Sequence, residues 1–94
     1  MRNSTGLKND IRRWLRERGD TGAKILSIAE WKRRGERYGD NAAFIMIIEE
    51  SPLYATLNYG EDGWKAQKEL NTICQRHGFW YEQGYYWSLA FYEI

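Results

Sequence analysis

The first part of the chain carries the spacing of two amphipathic helices. Apolar side chains recur from Leu7 at i, i+4, i+7 and i+8, which predicts a helix over about residues 7–18. Ser27 and Glu30 stand at the spacing of a capping box, in which each side chain bonds the backbone N–H of the other residue. This pair predicts the start of a second helix, over about residues 28–38.

The middle of the chain changes from helical spacing to an unbroken apolar run. Residues 42–48 are seven consecutive apolar residues, and this length and β-branched content favour a strand over a helix. Unbroken hydrophobicity predicts that the strand is covered on both faces. Ser51 and Pro52 suit the start of a short helical turn over about residues 52–57, and a longer amphipathic helix is predicted over about residues 63–77.

Two aromatic runs flank an X–Gly pair at residues 83–84 and predict a β-hairpin. Its strands cover about residues 79–83 and 85–93, joined by a two-residue turn. In that register Trp80 stands directly opposite Trp87, and the two rings are in contact on one face of the sheet.

The second arm of this hairpin is longer than the first and needs another partner, for which the predicted strand over 42–48 is the candidate. The pattern therefore predicts one α+β domain over residues 1–94, a size that fits a single domain. It consists of a small three-stranded, mostly antiparallel sheet with the last strand central. Three helices and the short helical turn pack against this sheet.

The composition excludes several classes of protein. With 43% hydrophobic and 29% charged residues, the chain is not intrinsically disordered. No apolar run approaches the ~18–20 residues of a membrane span, and the first residues lack the apolar stretch of a secretory signal. One cysteine cannot form an internal disulfide, and one cysteine with one histidine cannot build a structural zinc site. We therefore expect a cytoplasmic protein without a metal or cofactor.

Cys74 and His77 are the candidate catalytic pair. They are three residues apart on a predicted helix, and a thiolate nucleophile needs a histidine within reach. The alternative is that both lie on the inner side of the helix as structural residues, which we favour because helical neighbours of these types arise often by chance. The sequence offers no further catalytic constellation, so the expectation is a protein without enzymatic activity.

Charge is distributed unevenly along the chain. Residues 1–40 carry eleven basic and six acidic side chains, whereas residues 41–94 carry three and seven. Seven of the basic side chains fall on the two front helices and can form a positive face for nucleic acid: Arg12, Arg13, Arg16, Lys32, Arg33, Arg34 and Arg37. Acidic neighbours dilute this face and the pI of about 7.8 is modest, so nucleic-acid binding is the alternative function.

Aromatic residues are concentrated near the C-terminal end. Eight of the fourteen residues from Phe79 to Tyr92 are Phe, Trp or Tyr. Some must fill the core of so small a domain, but a small sheet has only one face for its own helices, and Tyr and Trp collect at interfaces. Six of them are the candidate partner-binding residues: Trp80, Tyr81, Tyr85, Tyr86, Trp87 and Tyr92. The leading hypothesis is a binding module that contacts proteins through this surface, a second copy of itself being the default partner.

Overall fold

A computed structural model describes residues 3–94 of the chain. Within this part the chain forms four helices and four strands. In chain order these are α1 (Thr5–Glu17), β1 (Lys24–Ser27), α2 (Ile28–Arg33), β2 (Phe44–Ile47), α3 (Pro52–Tyr59), α4 (Gly63–Arg76), β3 (Phe79–Gln83) and β4 (Ser88–Glu93).

The four strands form one antiparallel sheet in the order β1-β2-β4-β3. The α+β class and the central position of the last strand are therefore confirmed. The prediction of three strands is wrong, because β1 adds to the outer side of β2. A four-residue strand with Lys at one end and Ser at the other has no strong pattern of its own, and it forms because β2 offers an unpaired edge.

Both faces of the sheet are covered, as the unbroken apolar run predicts. Side chains alternate along β2, so that Phe44 and Met46 point into a layer formed with α1, α3 and α4. Ile45 and Ile47 point to the opposite face, where they pack with Trp31 of α2. Three helices thus cover one face, and the six-residue helix α2 lies alone on the other.

The helix boundaries follow local capping chemistry. Ser27 N–H donates to Glu30 Oε1 (2.9 Å) and Glu30 N–H donates to Ser27 Oγ (3.1 Å), which confirms the capping box. At α3, Leu53 N–H donates to Ser51 Oγ (3.0 Å). The predicted extension of the second helix to residue 38 is wrong, because Gly35 adopts a left-handed conformation (φ +87°) that ends it.

The predicted hairpin exists, but its register is different. Trp80 pairs with Tyr92 rather than with Trp87, and β4 begins at Ser88 rather than at residue 85. Gly84 N–H donates to the Ser88 carbonyl (3.1 Å), closing a four-residue loop in place of the two-residue turn. The predicted contact between the two tryptophan rings is therefore wrong.

The change of register also exchanges the faces of β4. The pairing is displaced by an odd number of residues, and an odd displacement moves every side chain of a strand to the other face. Trp80 therefore shares its face with Tyr92, on the side of α2. Tyr81 lies opposite Phe91, whose ring belongs to the layer of three helices.

No helix within residues 3–94 combines the length and the apolar character needed to cross a lipid bilayer.

Candidate interaction surface

The short helix α2 leaves half of its face of the sheet uncovered. It packs against β1 and β2 and does not extend over β4 and β3. Five aromatic side chains lie beside it on that side, and we call them the aromatic surface: Trp80 and Tyr92 from the strands, Tyr38 from the segment after α2, and Tyr85 and Trp87 from the β3–β4 loop.

Trp31 forms the base of this surface. Its side chain is fully buried, and its indole Nε1 donates to the Tyr38 carbonyl (2.6 Å). Its ring contacts Tyr85 and Trp87, at centroid distances of 6.4 and 5.8 Å. Tyr85 and Trp87 in turn stack on each other at 4.9 Å, with only 9° between their planes. The loop aromatics are thus held in fixed positions by one buried tryptophan.

Trp80 and Tyr92 form a second aromatic pair across the β3–β4 ladder. Their rings stack with centroids 4.6 Å apart and planes inclined by 21°. Trp80 is 43% exposed, so one face of its indole is open to solvent while the other rests on the tyrosine. An exposed tryptophan held in this way presents a flat apolar area with little side-chain freedom left to lose on binding.

Tyr38 links the segment after α2 to the β-hairpin. Its hydroxyl donates to Glu82 Oε1, and its ring contacts Tyr85 at a centroid distance of 5.9 Å. The ring lies so close to Gly84 that a Cβ there would stand 2.1 Å from Tyr38 Cε1. The glycine of the X–Gly pair therefore serves a close approach, not a tight turn. Sequence analysis missed Tyr38 because it was assigned to a helix.

The phenol groups of the surface stay neutral and can donate hydrogen bonds. Burial raises the pKa of Tyr92, and the carboxylate of Glu82 raises it further. Burial likewise raises the pKa of Tyr85, with a second contribution from the charge of Glu36. Since an ordinary tyrosine already titrates near pH ~10, both hydroxyl groups keep their protons throughout the neutral range.

Two of the predicted partner-binding residues lie elsewhere. Tyr81 is half-buried against the layer of three helices, where burial raises its pKa to about 12. Tyr86 is 72% exposed at the tip of the β3–β4 loop, and its carbonyl accepts bonds from Asn58 (2.9 Å) and Gln83 (3.0 Å). Trp80, Tyr85, Trp87 and Tyr92 are the predicted residues that the structure brings together.

The predicted basic residues divide into two groups. Arg12, Arg13 and Arg16 belong to α1, which packs with the layer of three helices. Four others lie on α2 or directly after it, on the opposite side of the sheet: Lys32, Arg33, Arg34 and Arg37. The seven side chains therefore do not form one positive face.

Arg34 connects the second basic group to the aromatic residues. Its guanidinium lies 5.8 Å from the ring centroid of Trp31 and 5.9 Å from that of Trp87. These distances are within the range of cation–π attraction. The edge of the aromatic surface beside α2 therefore carries a positive charge.

Cys74 and His77 do not form a nucleophile and base. Cys74 is fully buried in the layer of three helices, and burial raises the pKa of its thiol to about 12. His77 Nε2 instead lies 2.7 Å from Asp10 Oδ2, which ties the end of α4 to α1. The hydrogen bond to His77 lowers the pKa of Asp10, with a smaller contribution from the charge of Arg13. This geometry supports the structural interpretation of both residues.

A groove of about 380 Å³ runs between α1 and α4. Its charged lining contains three basic and three acidic side chains: Arg13, Lys68, Arg76, Asp10, Glu17 and Glu69. Two of these acids are already engaged, since Asp10 pairs with His77 and Glu69 accepts from Trp14 Nε1 at 2.9 Å. The lining gives no preference for an anion or a cation. In the described part of the chain, no three His, Cys, Asp or Glu side chains are grouped so that they could hold a metal ion.

No protein-family model, curated protein sequence or solved structure matches this chain. Its function is therefore inferred from its own side chains.

Proposed function

We propose that this chain is a non-catalytic binding module that contacts protein partners, a second copy of itself among them, through the aromatic surface. The observation that carries the proposal is the exposed indole of Trp80, stacked on Tyr92 where α2 leaves the sheet face uncovered. Large apolar side chains that remain exposed beside one another on a folded domain are typical of interaction sites.

The chemistry around Trp80 suits a protein partner. An interface has an apolar centre and a polar rim that supplies hydrogen bonds and fixes orientation. Here the stacked rings supply the centre. Arg34 and Glu82 supply opposite charges at the rim, and the tyrosine hydroxyl groups supply donors that remain protonated at neutral pH.

The rigidity of the surface favours binding further. Trp80, Tyr85 and Trp87 each rest on another aromatic ring, so a partner does not have to order them. Immobilising a free side chain costs about 0.5–1.5 kcal/mol, and this cost is largely met in the folded chain before any partner arrives.

Affinity capture with matched variants tests the proposal. The wild-type chain and a Trp80→Ser/Tyr92→Ser variant are immobilised, and the proteins that each retains from a lysate of the native host are compared. Trp64→Ser is the control, because Trp64 is 60% exposed but lies on α4, away from the aromatic surface. We expect retained proteins that the double variant loses and the control keeps. Identical retention by all three chains, together with a monomeric mass for the wild type, would contradict the proposal.

Nucleic acid is the second candidate partner, favoured by the position of Arg34 over two aromatic rings. Four basic side chains lie on α2 or directly after it, on the same side of the sheet as the aromatic surface: Lys32, Arg33, Arg34 and Arg37. Basic residues beside stacked aromatics are typical of single-strand binding. In this case log affinity falls with log salt by about 0.7 per phosphate contact, and Arg34→Ala reduces that slope. No binding to a single-stranded oligonucleotide at low salt would exclude this candidate.

A further inference from the structure

The backbone of the edge strand β3 alternates between two directions. Gly84 N–H donates to the Ser88 carbonyl (3.1 Å) at one end of the hairpin, and Ile94 N–H donates to the Gly78 carbonyl (2.9 Å) at the other. Both bonds fit the register of the β3–β4 ladder, so the even-numbered residues of β3 direct their backbone groups toward β4.

The odd-numbered residues consequently direct their backbone groups away from the sheet. These are Phe79, Tyr81 and Gln83, and the described part of the chain supplies no further strand on that side. Each presents one N–H donor and one carbonyl acceptor to the outside. An open strand edge of this kind is a template for another extended segment.

The opposite edge of the sheet is better protected. β1 has only four residues, carries Lys24 at its start and runs directly into α2. The N–H of Ser27, at its end, already donates to Glu30 Oε1 at 2.9 Å. β3 carries neither a lysine nor a proline, the residues with which proteins commonly block an edge.

We propose that two copies of this chain pair antiparallel through their β3 edges, with Tyr81 opposite Tyr81 of the partner subunit. The inference rests on the proposed function, whose partner and contact it specifies. Centring the two-fold axis at Tyr81 overlaps the whole strand, so Phe79 exchanges backbone bonds with Gln83 of the partner subunit. The product is one continuous eight-stranded sheet, formed by two four-stranded sheets.

The side chains of β3 complement one another in this register. Trp80 stands directly opposite Glu82 of the partner subunit, so the two carboxylates are not direct neighbours. Trp80 reaches Trp80 of the partner subunit along the diagonal, which aromatic side chains can span. Because each indole already stacks on Tyr92, the pairing joins two aromatic pairs into one row across the dimer.

The first test compares two substitutions at one exposed backbone position. Gln83→Pro removes the outward N–H, whereas Gln83→Ala removes the same side-chain bond to Asn58 (3.1 Å) but keeps the N–H. By light scattering the wild type should reach twice the 11.2 kDa of one chain. Gln83→Pro should raise the dimer Kd at least about tenfold, because one backbone bond is lost on each side of the axis, and Gln83→Ala by less than about threefold.

Amide exchange of the wild-type chain supplies a second measurement that needs no variant. In dilute solution the amides of Phe79, Tyr81 and Gln83 should exchange rapidly, whereas those of Trp80 and Glu82 are protected by β4. At high concentration the first three should become protected as the dimer forms. Rapid exchange of all three in a dimeric sample would overturn the edge pairing.

The outcomes separate this inference from the proposed function. A wild-type dimer that Gln83→Pro leaves unchanged overturns the edge pairing, while self-association through another part of the chain still supports the proposed function. A wild type that stays at 11.2 kDa at every concentration also overturns the edge pairing. The capture experiment with Trp80→Ser/Tyr92→Ser then decides the proposed function by itself.

Discussion

The ring of Tyr38 occupies the space that a side chain at position 84 would need, since a Cβ on Gly84 would stand 2.1 Å from Tyr38 Cε1. The same tyrosine donates its hydroxyl to Glu82. One residue outside the regular elements therefore holds both the end of β3 and the start of the β3–β4 loop.

Gly84→Ala should destabilise the chain by about 1–3 kcal/mol, the usual cost of forcing an extra methyl group into a packed site. Urea unfolding monitored by tryptophan fluorescence measures the free energy of unfolding. In a Tyr38→Ala background the same substitution should cost less than about 0.5 kcal/mol, because the obstructing ring is gone. Equal costs in both backgrounds would show that position 84 is constrained by something other than Tyr38.

Trp31→Ala should be the most damaging substitution on the α2 side of the sheet. The side chain is fully buried and its indole donates to the Tyr38 carbonyl, so truncation should lower the free energy of unfolding by about 3–5 kcal/mol. Trp64→Ala is the control, with an expected change within about 0.5 kcal/mol because that side chain is mostly exposed. Comparable losses for the two variants would contradict the packing described for α2.

Cys74 should be unreactive in the folded protein. Burial raises the pKa of its thiol to about 12, so at pH ~8 the thiolate that attacks a disulfide reagent is almost absent. We expect labelling of the native chain to be at least about a hundredfold slower than labelling in urea. Rapid labelling under native conditions would reopen the catalytic interpretation of Cys74 and His77.

The Asp10–His77 pair should make stability depend on pH in the acidic range. The hydrogen bond from His77 lowers the pKa of Asp10 below the ordinary value of 3.8. The folded state therefore gains stability above pH ~4 and loses it as pH falls through the lowered pKa of the carboxyl. Urea midpoints measured between pH ~5 and pH ~2 should fall less steeply for Asp10→Asn and for His77→Gln than for the wild type. Parallel curves for all three chains would rule out this contribution.

The sequence predicts the helices and the central strand well because their patterns are local. Apolar spacing from Leu7 determines the face of α1, and the Ser27–Glu30 capping box determines where α2 begins. The greater length of the last strand correctly places it between two partners. In these cases the residues that decide the structure lie within a few positions of one another.

The errors arise where a distant residue decides the structure. β1 exists because β2 needs a partner, and Gly84 is required by Tyr38 rather than by a turn. The odd displacement of the hairpin then moves Tyr81 to the helical side, which no local pattern distinguishes. The two groups of basic residues are similar in sequence, and only the placement of α1 and α2 on opposite faces separates them.

The position of β4 in the sheet has a consequence for how the chain is made. β2 is completed at Ile47, but its neighbour on the inner side is β4, which begins only at Ser88. During synthesis the apolar strand β2 therefore waits for about forty more residues before that edge can close. The sheet cannot assemble progressively as the ribosome moves along the message, and a nascent chain that stalls before Ser88 exposes the most apolar edge of the molecule to its surroundings.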